Sequence, residues 1–217
     1  MTRSKYQTLV LIFEFILMVC IGLIPSIKTL PLILVLLPII GIIGIKIYEY
    51  KESVQEKHLR VKIQLKILSS LLQDPLLLQN PIKEFRCAYQ VPSGKNRLLQ
   101  VFDYIPEGGG GGRKLPINKG IVGLSFKMKC EEIENFYSDD EYRRQMEDKY
   151  HFTQKDLQKI QDDRRSYFAF PLIDEFYHVL GIIYFDSATT DTFNDEKNPL
   201  AMRLIRSVCT NIKQTIL

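Results

Sequence analysis

The stretch Tyr167-Phe-Ala-Phe-Pro-Leu-Ile173, Asp174-Glu-Phe-Tyr-His178, Val179-Leu-Gly-Ile-Ile-Tyr-Phe185 decides the fold class. Two short apolar and aromatic runs are separated by five polar and aromatic residues, the pattern of an antiparallel hairpin. Upstream, Phe85-Arg-Cys-Ala-Tyr-Gln-Val91 places Phe85, Cys87, Tyr89 and Val91 at alternate positions, so it reads as a strand with one buried face. Pro92-Ser-Gly-Lys-Asn96 turns the chain and residues Leu98 to Ile105 return as a second strand. Between the hairpins, Ser138-Asp-Asp-Glu141 and Thr153-Gln-Lys-Asp156 have the spacing of capping boxes and start two short charged helices. After them, Asn198 and Pro199 open a last helix whose apolar face holds Leu204, Ile205, Val208, Ile212 and Ile216. Strands, helices, strands and a helix in this order imply an α+β fold built on an antiparallel sheet.

The first 48 residues have a different composition. Across the whole chain of 217 residues, 46% are hydrophobic and 25% charged, the net charge is +4, and the mean hydropathy is −0.05. Residues 1–48, however, carry only Glu14, Lys28 and Lys46 after Lys5. Residues 6–27 and 30–48 are each about 20 residues long, enough to cross a hydrocarbon core of about 30 Å, and predict a transmembrane hairpin closed by Pro25-Ser-Ile-Lys-Thr-Leu-Pro31. No small-residue cleavage site separates the two, which argues against a removed signal peptide. Arg3 and Lys5 precede the pair, and Lys46, Lys51, Lys57, Arg60, Lys62 and Lys66 follow it. The positive-inside rule then places both ends in the cytoplasm, and the expected location is the cell inner membrane, multi-pass, with the soluble domain cytoplasmic. Glu14, a carboxylate within the first span, either faces a helix partner or a wet cavity or sits near the interface.

From Glu49 to Gln73 no Pro or Gly interrupts the chain, and Ile47, Val54, Val61 and Leu68 recur every seven residues, with Leu65 and Leu72 in the second seam position. The pattern predicts a linker helix over 49–73 that forms a parallel coiled-coil dimer. The other reading is that Ile63, Ile67 and Leu71 widen the stripe so that the helix packs on its own domain. Asp74-Pro75 and Asn80-Pro81 stop it. Residues 82–217 then form one compact domain. The run Gly108 to Gly112 lacks the Gly-Lys-Ser/Thr that completes a phosphate loop and is expected to be a flexible surface loop.

With these elements placed, three segments resemble a GAF domain, the small-molecule-sensing fold of signalling proteins. Arg113-Lys-Leu-Pro-Ile-Asn-Lys-Gly-Ile-Val-Gly-Leu-Ser-Phe126 is similar to the family's basic-apolar lead-in, Gly-x-x-Gly and small apolar helix. Arg165-Ser-Tyr-Phe-Ala-Phe-Pro-Leu-Ile173 is similar to its Arg-Ser-x-x-x-x-Pro-Leu strand, and Leu180-Gly-Ile-Ile-Tyr-Phe-Asp-Ser187 with Phe193-Asn-Asp-Glu196 to its Gly-x-Leu strand and following helix lead-in. The resemblance covers residues 82–217. It implies a ligand held between the sheet and the segment from about Cys130 to Asp163, with Phe126, Tyr142, Arg165, Ser166 and Phe168 in the pocket. Arg143, Arg144, Arg164 and Arg165 are placed to neutralise an anionic ligand such as a nucleotide phosphate, although a solvated charged face explains them as well. The Asn-Lys-Phe-Asp-Glu signature of cyclic-nucleotide-binding members is incomplete here. The cysteine placement of the members that reduce methionine sulfoxide, and the bilin attachment context, are missing.

Catalytic and metal-binding motifs do not stand out. The three histidines, His58, His151 and His178, have no HExxH or carboxylate spacing, no GxSxG occurs, and Cys20, Cys87, Cys130 and Cys209 form no CxxC. No enzyme activity, no metal and no particular cofactor is expected. Both charge signs are spread through the chain, without the basic stripe that nucleic acid requires. The leading expectation is a membrane-anchored sensor that binds a small ligand, anionic or nucleotide, and acts through a homodimer, its hairpin in the lipid bilayer, or a separate signalling protein. The alternatives are a ligand-gated membrane-disrupting effector of bacterial antiviral defence and a ligand-free dimerisation scaffold.

Overall fold

The computed structural model describes residues 30–106, 108–158 and 163–217, with side chains from residue 41 onward. The chain divides into two units, Met1–Glu56 and Lys57–Leu217. In the first, the described residues form the beginning of a long helix, α1 (Leu30–Gln73), with Lys46 paired to Glu49 at 3.0 Å on its exposed side. Here the membrane expectation is corrected. The segment 30–48 continues without a break into the linker sequence, as one helix. Among the described residues no helix is long and apolar enough to cross a membrane. The multi-pass inner-membrane location is corrected accordingly. The first expected span, residues 6–27 with Glu14, lies outside the described residues.

The second unit is built on a six-stranded antiparallel sheet in the order β3-β2-β1-β6-β5-β4. Its strands are β1 (Phe85–Pro92), β2 (Arg97–Gln100), β3 (Lys114–Pro116), β4 (Glu132–Asn135), β5 (Ser166–Ile173) and β6 (Val179–Ser187). The β5–β6 hairpin forms where the sequence placed it, with Phe168 opposite Phe185 and Ala169 opposite Tyr184, and β1 pairs along the other side of β6. The second strand is shorter than expected. It leaves the ladder after Gln100, and Ile105 returns in a single bridge to Cys87. At three and four residues, β3 and β4 are too short to leave a periodic pattern. Pro171 lies beyond the end of the β4 pairing, where β5 has β6 as its neighbour, so its missing N–H removes no ladder bond on the β4 side.

The two sheet faces carry two cores. On one, Phe85, Cys87 and Tyr89 of β1, Phe168 and Leu172 of β5, and Ile183 and Phe185 of β6 pack with Met202, Ile205, Cys209 and Ile212 of α5 (Pro199–Ile216). Val61, Leu65, Leu68 and Leu72 of α1, all fully buried, complete this core. Each buried side chain of this size contributes about 1.5–3 kcal/mol. The Lys57 Nζ bond to Ile216 O (2.9 Å) and the Gln64 Nε2 bond to Thr215 Oγ1 (2.9 Å) further tie α1 to the end of α5. The expected coiled-coil seam is therefore used inside the chain's own domain. Of the wider stripe, Ile63 and Ile67 are exposed, as is Leu59, while Leu71 is half-buried.

The second face is covered by α2 (Gly120–Met128) and α3 (Asp139–Asp148), with the short α4 (Gln154–Leu157) beyond. Gly123 is required by close approach, since a Cβ there would lie 2.8 Å from Ile117 O. Ser138 caps α3 by accepting from Glu141 N (3.2 Å), and Glu141 accepts in return from Tyr137 N (3.1 Å). Thr153 and Asp156 form the reciprocal capping box of α4. Asn198 does not cap α5 with its side chain; its Nδ2 donates to Asp191 O and Thr192 O instead.

Candidate functional site

Strand parity decides which side chains meet on the second face. Because Phe85, Cys87 and Tyr89 point to the α1–α5 core, Arg86 and Gln90 stand on the opposite face. Arg86 pairs in register with Asp186, and Asp186 with Tyr167, giving a row of polar and aromatic residues across β1, β6 and β5. Above this row is a cavity of about 400 Å³, within the usual size of a small-molecule site. Its floor is Arg86, Gln90, Tyr167, Tyr184 and Asp186 of the sheet; its walls are Val122 of α2, Tyr142 and Met146 of α3, Phe152, and Tyr104, Gly108, Gly109, Gly110 and Arg113.

The floor holds one carboxylate between two guanidiniums. Arg86 Nε donates to Asp186 Oδ1 at 2.8 Å, and Arg164 Nε lies 3.5 Å from the same oxygen. The Asp186 side chain is 1% exposed and that of Arg164 is 9% exposed. Burial raises the Asp186 carboxyl above its ordinary value, against the pull of Arg86 and Arg164. Arg86 also lies over the Tyr104 ring, its guanidinium carbon 4.3 Å from the centroid. At the rim, Lys119 is paired with Asp156 at 2.5 Å and Arg113 adds a further cation. Arg164 Nε also lies 3.5 Å from Asp163 Oδ1, so the two guanidiniums meet two carboxylates, and the exposed Arg113 at the rim is the cation that an anion would compensate. Tyr142 and Tyr167 stack at 6.5 Å with an interplanar angle of 15°, and Tyr184 lies 6.4 Å from Tyr167, so one wall is aromatic. Burial pushes the Tyr167 and Tyr184 phenols far above their ordinary range, and they remain neutral donors.

Of the five expected pocket residues, Tyr142 lines the cavity. Phe126 is half-buried on α2 and packs at the edge of the second core. Arg165 binds the Asp139 carboxylate and donates to Arg164 O. Ser166 donates to Asn135 Oδ1 (2.6 Å) and accepts from Phe193 N (3.0 Å), tying β5 to β4 and to the following loop. Phe168 is buried on the α1–α5 face among Phe170, Phe185 and Phe193. Glu14 lies outside the described residues. Arg164, named only as one of several cations, is the one that reaches the cavity floor. The residues that sequence reasoning missed are Arg86, Gln90, Tyr184 and Asp186. The alternation read for β1 already implied that Arg86 and Gln90 face away from Cys87. Cys87 and Cys209 are buried and Cys130 is exposed, and none of the three lines the cavity. Among the described residues no group of His, Cys, Asp and Glu is placed to hold a metal ion.

No family model matches the chain, and no curated protein matches it. Among solved structures, the chain is similar to type II free methionine-R-sulfoxide reductase from Thermoplasma acidophilum, at 14% identity over 74% of this chain and 94% of that one, with a TM-score of 0.49. It is also similar to the GAF domain region of a Geobacter sulfurreducens protein, at 18% identity over 75% of this chain and 97% of that one, TM-score 0.48. A third is the GAF domain of a two-component sensor histidine kinase from Bacillus halodurans, at 12% identity over 69% and 90%, TM-score 0.45. The α+β architecture itself rests on the strand order and the two helical layers described above.

Proposed function

We propose that the unit Lys57–Leu217 is a GAF-like sensory domain that binds a small anionic molecule with a planar portion, nucleotides being within that class. The observation that carries this reading is the sharing of one buried carboxylate, Asp186, by Arg86 and Arg164 at the floor of the cavity. The ligand's negative charge meets the cations that line the cavity, Arg113 at the rim among them, and its ring packs against Tyr142, Tyr167 and Tyr184. The three segments that resemble GAF domains support the same reading. Ligand binding is relayed through a homodimer or to a separate signalling protein. Because the seam of α1 is buried in its own domain, the dimer contact is assigned to the exposed face bearing Leu59, Ile63 and Ile67.

Native mass spectrometry of the full chain, before and after denaturation, tests the ligand. An anionic small molecule released in equal stoichiometry, and absent from Arg164→Gln, is the expected result. If no member of a panel of anionic metabolites binds the full chain, the ligand-free scaffold takes its place.

A further inference from the structure

The five-glycine run differs from the flexible loop that its composition predicts. Gly108 N donates to Tyr104 O (2.7 Å), Tyr104 N to Gly109 O (2.8 Å), Gly112 N to Gln100 O (2.8 Å), and Gly111 N to Asp103 Oδ1 (2.9 Å). Positive φ favours glycine at Gly108, Gly109, Gly110 and Gly112, and the packing around the run is close. A Cβ at Gly110, where φ is +86°, would lie 2.8 Å from Gln100 Nε2 and 3.0 Å from Tyr104 Cε2, and one at Gly111 would lie 2.8 Å from Asp103 Oδ1. Gly108, Gly109 and Gly110 line the cavity together with Arg113. Among the described residues the amides of Gly109 and Gly110 have no acceptor, and the Arg113 guanidinium makes no ion pair. The other cations of the cavity are committed, Lys119 to Asp156, Arg86 to Asp186, and Arg164 to Asp186 and Asp163.

We propose that Gly109, Gly110 and Arg113 form the oxyanion-binding wall of the cavity and hold the phosphoryl group of a small molecule. The proposal rests on the reading that the cavity takes an anion. Peptide N–H groups freed of side chains let a tetrahedral oxyanion approach the backbone closely, and one guanidinium supplies the charge. A second observation fixes the other end of the ligand. Gln90 is 1% exposed, lines the same cavity, and its Oε1 has no partner among the described residues. A buried acceptor of this kind calls for a donor. The ligand class is therefore a phosphorylated compound whose inner end carries an N–H or O–H group, with its ring between these two ends beside the stacked tyrosines.

The test is titration of the ¹⁵N-labelled full chain with inorganic phosphate, using chloride at matched ionic strength as the control. Saturable shifts of the Gly109 and Gly110 amides are expected, and Arg113→Gln weakens the apparent affinity roughly tenfold or more, with Arg113→Lys recovering part of it. Saturable shifts confined to signals near Arg86 and Arg164, with the glycine amides unmoved, overturn the proposal and leave the anion-binding cavity standing. An unchanged affinity in Arg113→Gln also overturns it. No saturable shift anywhere overturns both.

Discussion

Arg86 and Asp186 stand in register across β1 and β6, joined Nε to Oδ1 at 2.8 Å, and Arg164 approaches the same carboxylate oxygen from the start of β5. One buried anion thus holds two cations apart. Asp186→Ala removes the buried carboxylate that both guanidiniums approach, and breaking a buried pair costs about 3–5 kcal/mol. The lower end is expected, because the Arg86 side chain keeps some contact with water at 19% exposure. Urea unfolding should show this loss, and added inorganic phosphate should restore part of it. A variant as stable as the parent contradicts the pairing.

The two faces of β5 make separable predictions. Phe168 is fully buried against Phe185 and Phe193 on the α1–α5 side, so Phe168→Ala should destabilise by about 3–5 kcal/mol without changing the anion affinity of the folded fraction. Tyr142 lines the cavity, and Tyr142→Phe should keep the packing while altering that affinity. Calorimetric titration beside chemical denaturation separates the two. The reverse pattern would place the ligand on the other face of the sheet.

On α1, burial sorts the apolar residues into two roles. Leu65→Ala removes a fully buried side chain and should cost about 2–5 kcal/mol, so charged substitutions at Leu65 or Leu68 should unfold the domain rather than merely separate subunits. Ile63→Glu with Ile67→Glu alters exposed positions and should change stability by about 0.5 kcal/mol or less, while converting the proposed dimer to monomer in sedimentation. A dimer that survives the double substitution contradicts the assigned contact face.

Stability should also depend on pH through His58. Its ring packs edge-on to Tyr89 at 5.8 Å, and burial lowers its pKa below the ordinary 6.5. A lowered folded-state value means that the unfolded chain takes up the proton first as pH falls. The contribution is complete above about pH 6.5 and is lost below it. At more acid pH, Asp174 and Asp191 act in the same direction, each held below its ordinary value of 3.8. For Asp191, hydrogen bonds from Lys197 and Tyr137 are the cause; for Asp174, hydrogen bonds from the His178 and Phe176 region outweigh burial. Denaturation midpoints of the parent and His58→Gln, compared between pH 7.5 and 5.5, should converge toward the acid end. Parallel curves contradict this role.

Much of the fold was legible because strand alternation and capping boxes are local signals. Phe85, Cys87 and Tyr89 form the buried face of β1 as read, and Ser138 and Thr153 cap the helices assigned to them. The site was less legible. Ser166 and Phe168 were drawn into the expected pocket by a family motif, but a period of two sends them to the opposite face from Tyr167. The heptad of α1 carried a real signal of a buried seam, yet an apolar stripe does not say whether a second chain or its own sheet will cover it. The glycine run misled for a similar reason: composition records freedom, whereas the hydrogen bonds it makes with Gln100, Asp103 and Tyr104 restrict it.

The most direct measurement of the central claim is the thermal unfolding midpoint of the full chain, parent and Arg164→Gln, in millimolar inorganic pyrophosphate against sodium chloride of equal ionic strength. A molecule that binds the folded state alone must raise the midpoint by mass action. The account predicts that pyrophosphate raises the midpoint of the parent and raises that of Arg164→Gln by less. Equal shifts in the two proteins, or none in the parent, would contradict an anion site built on Arg86, Arg164 and Asp186.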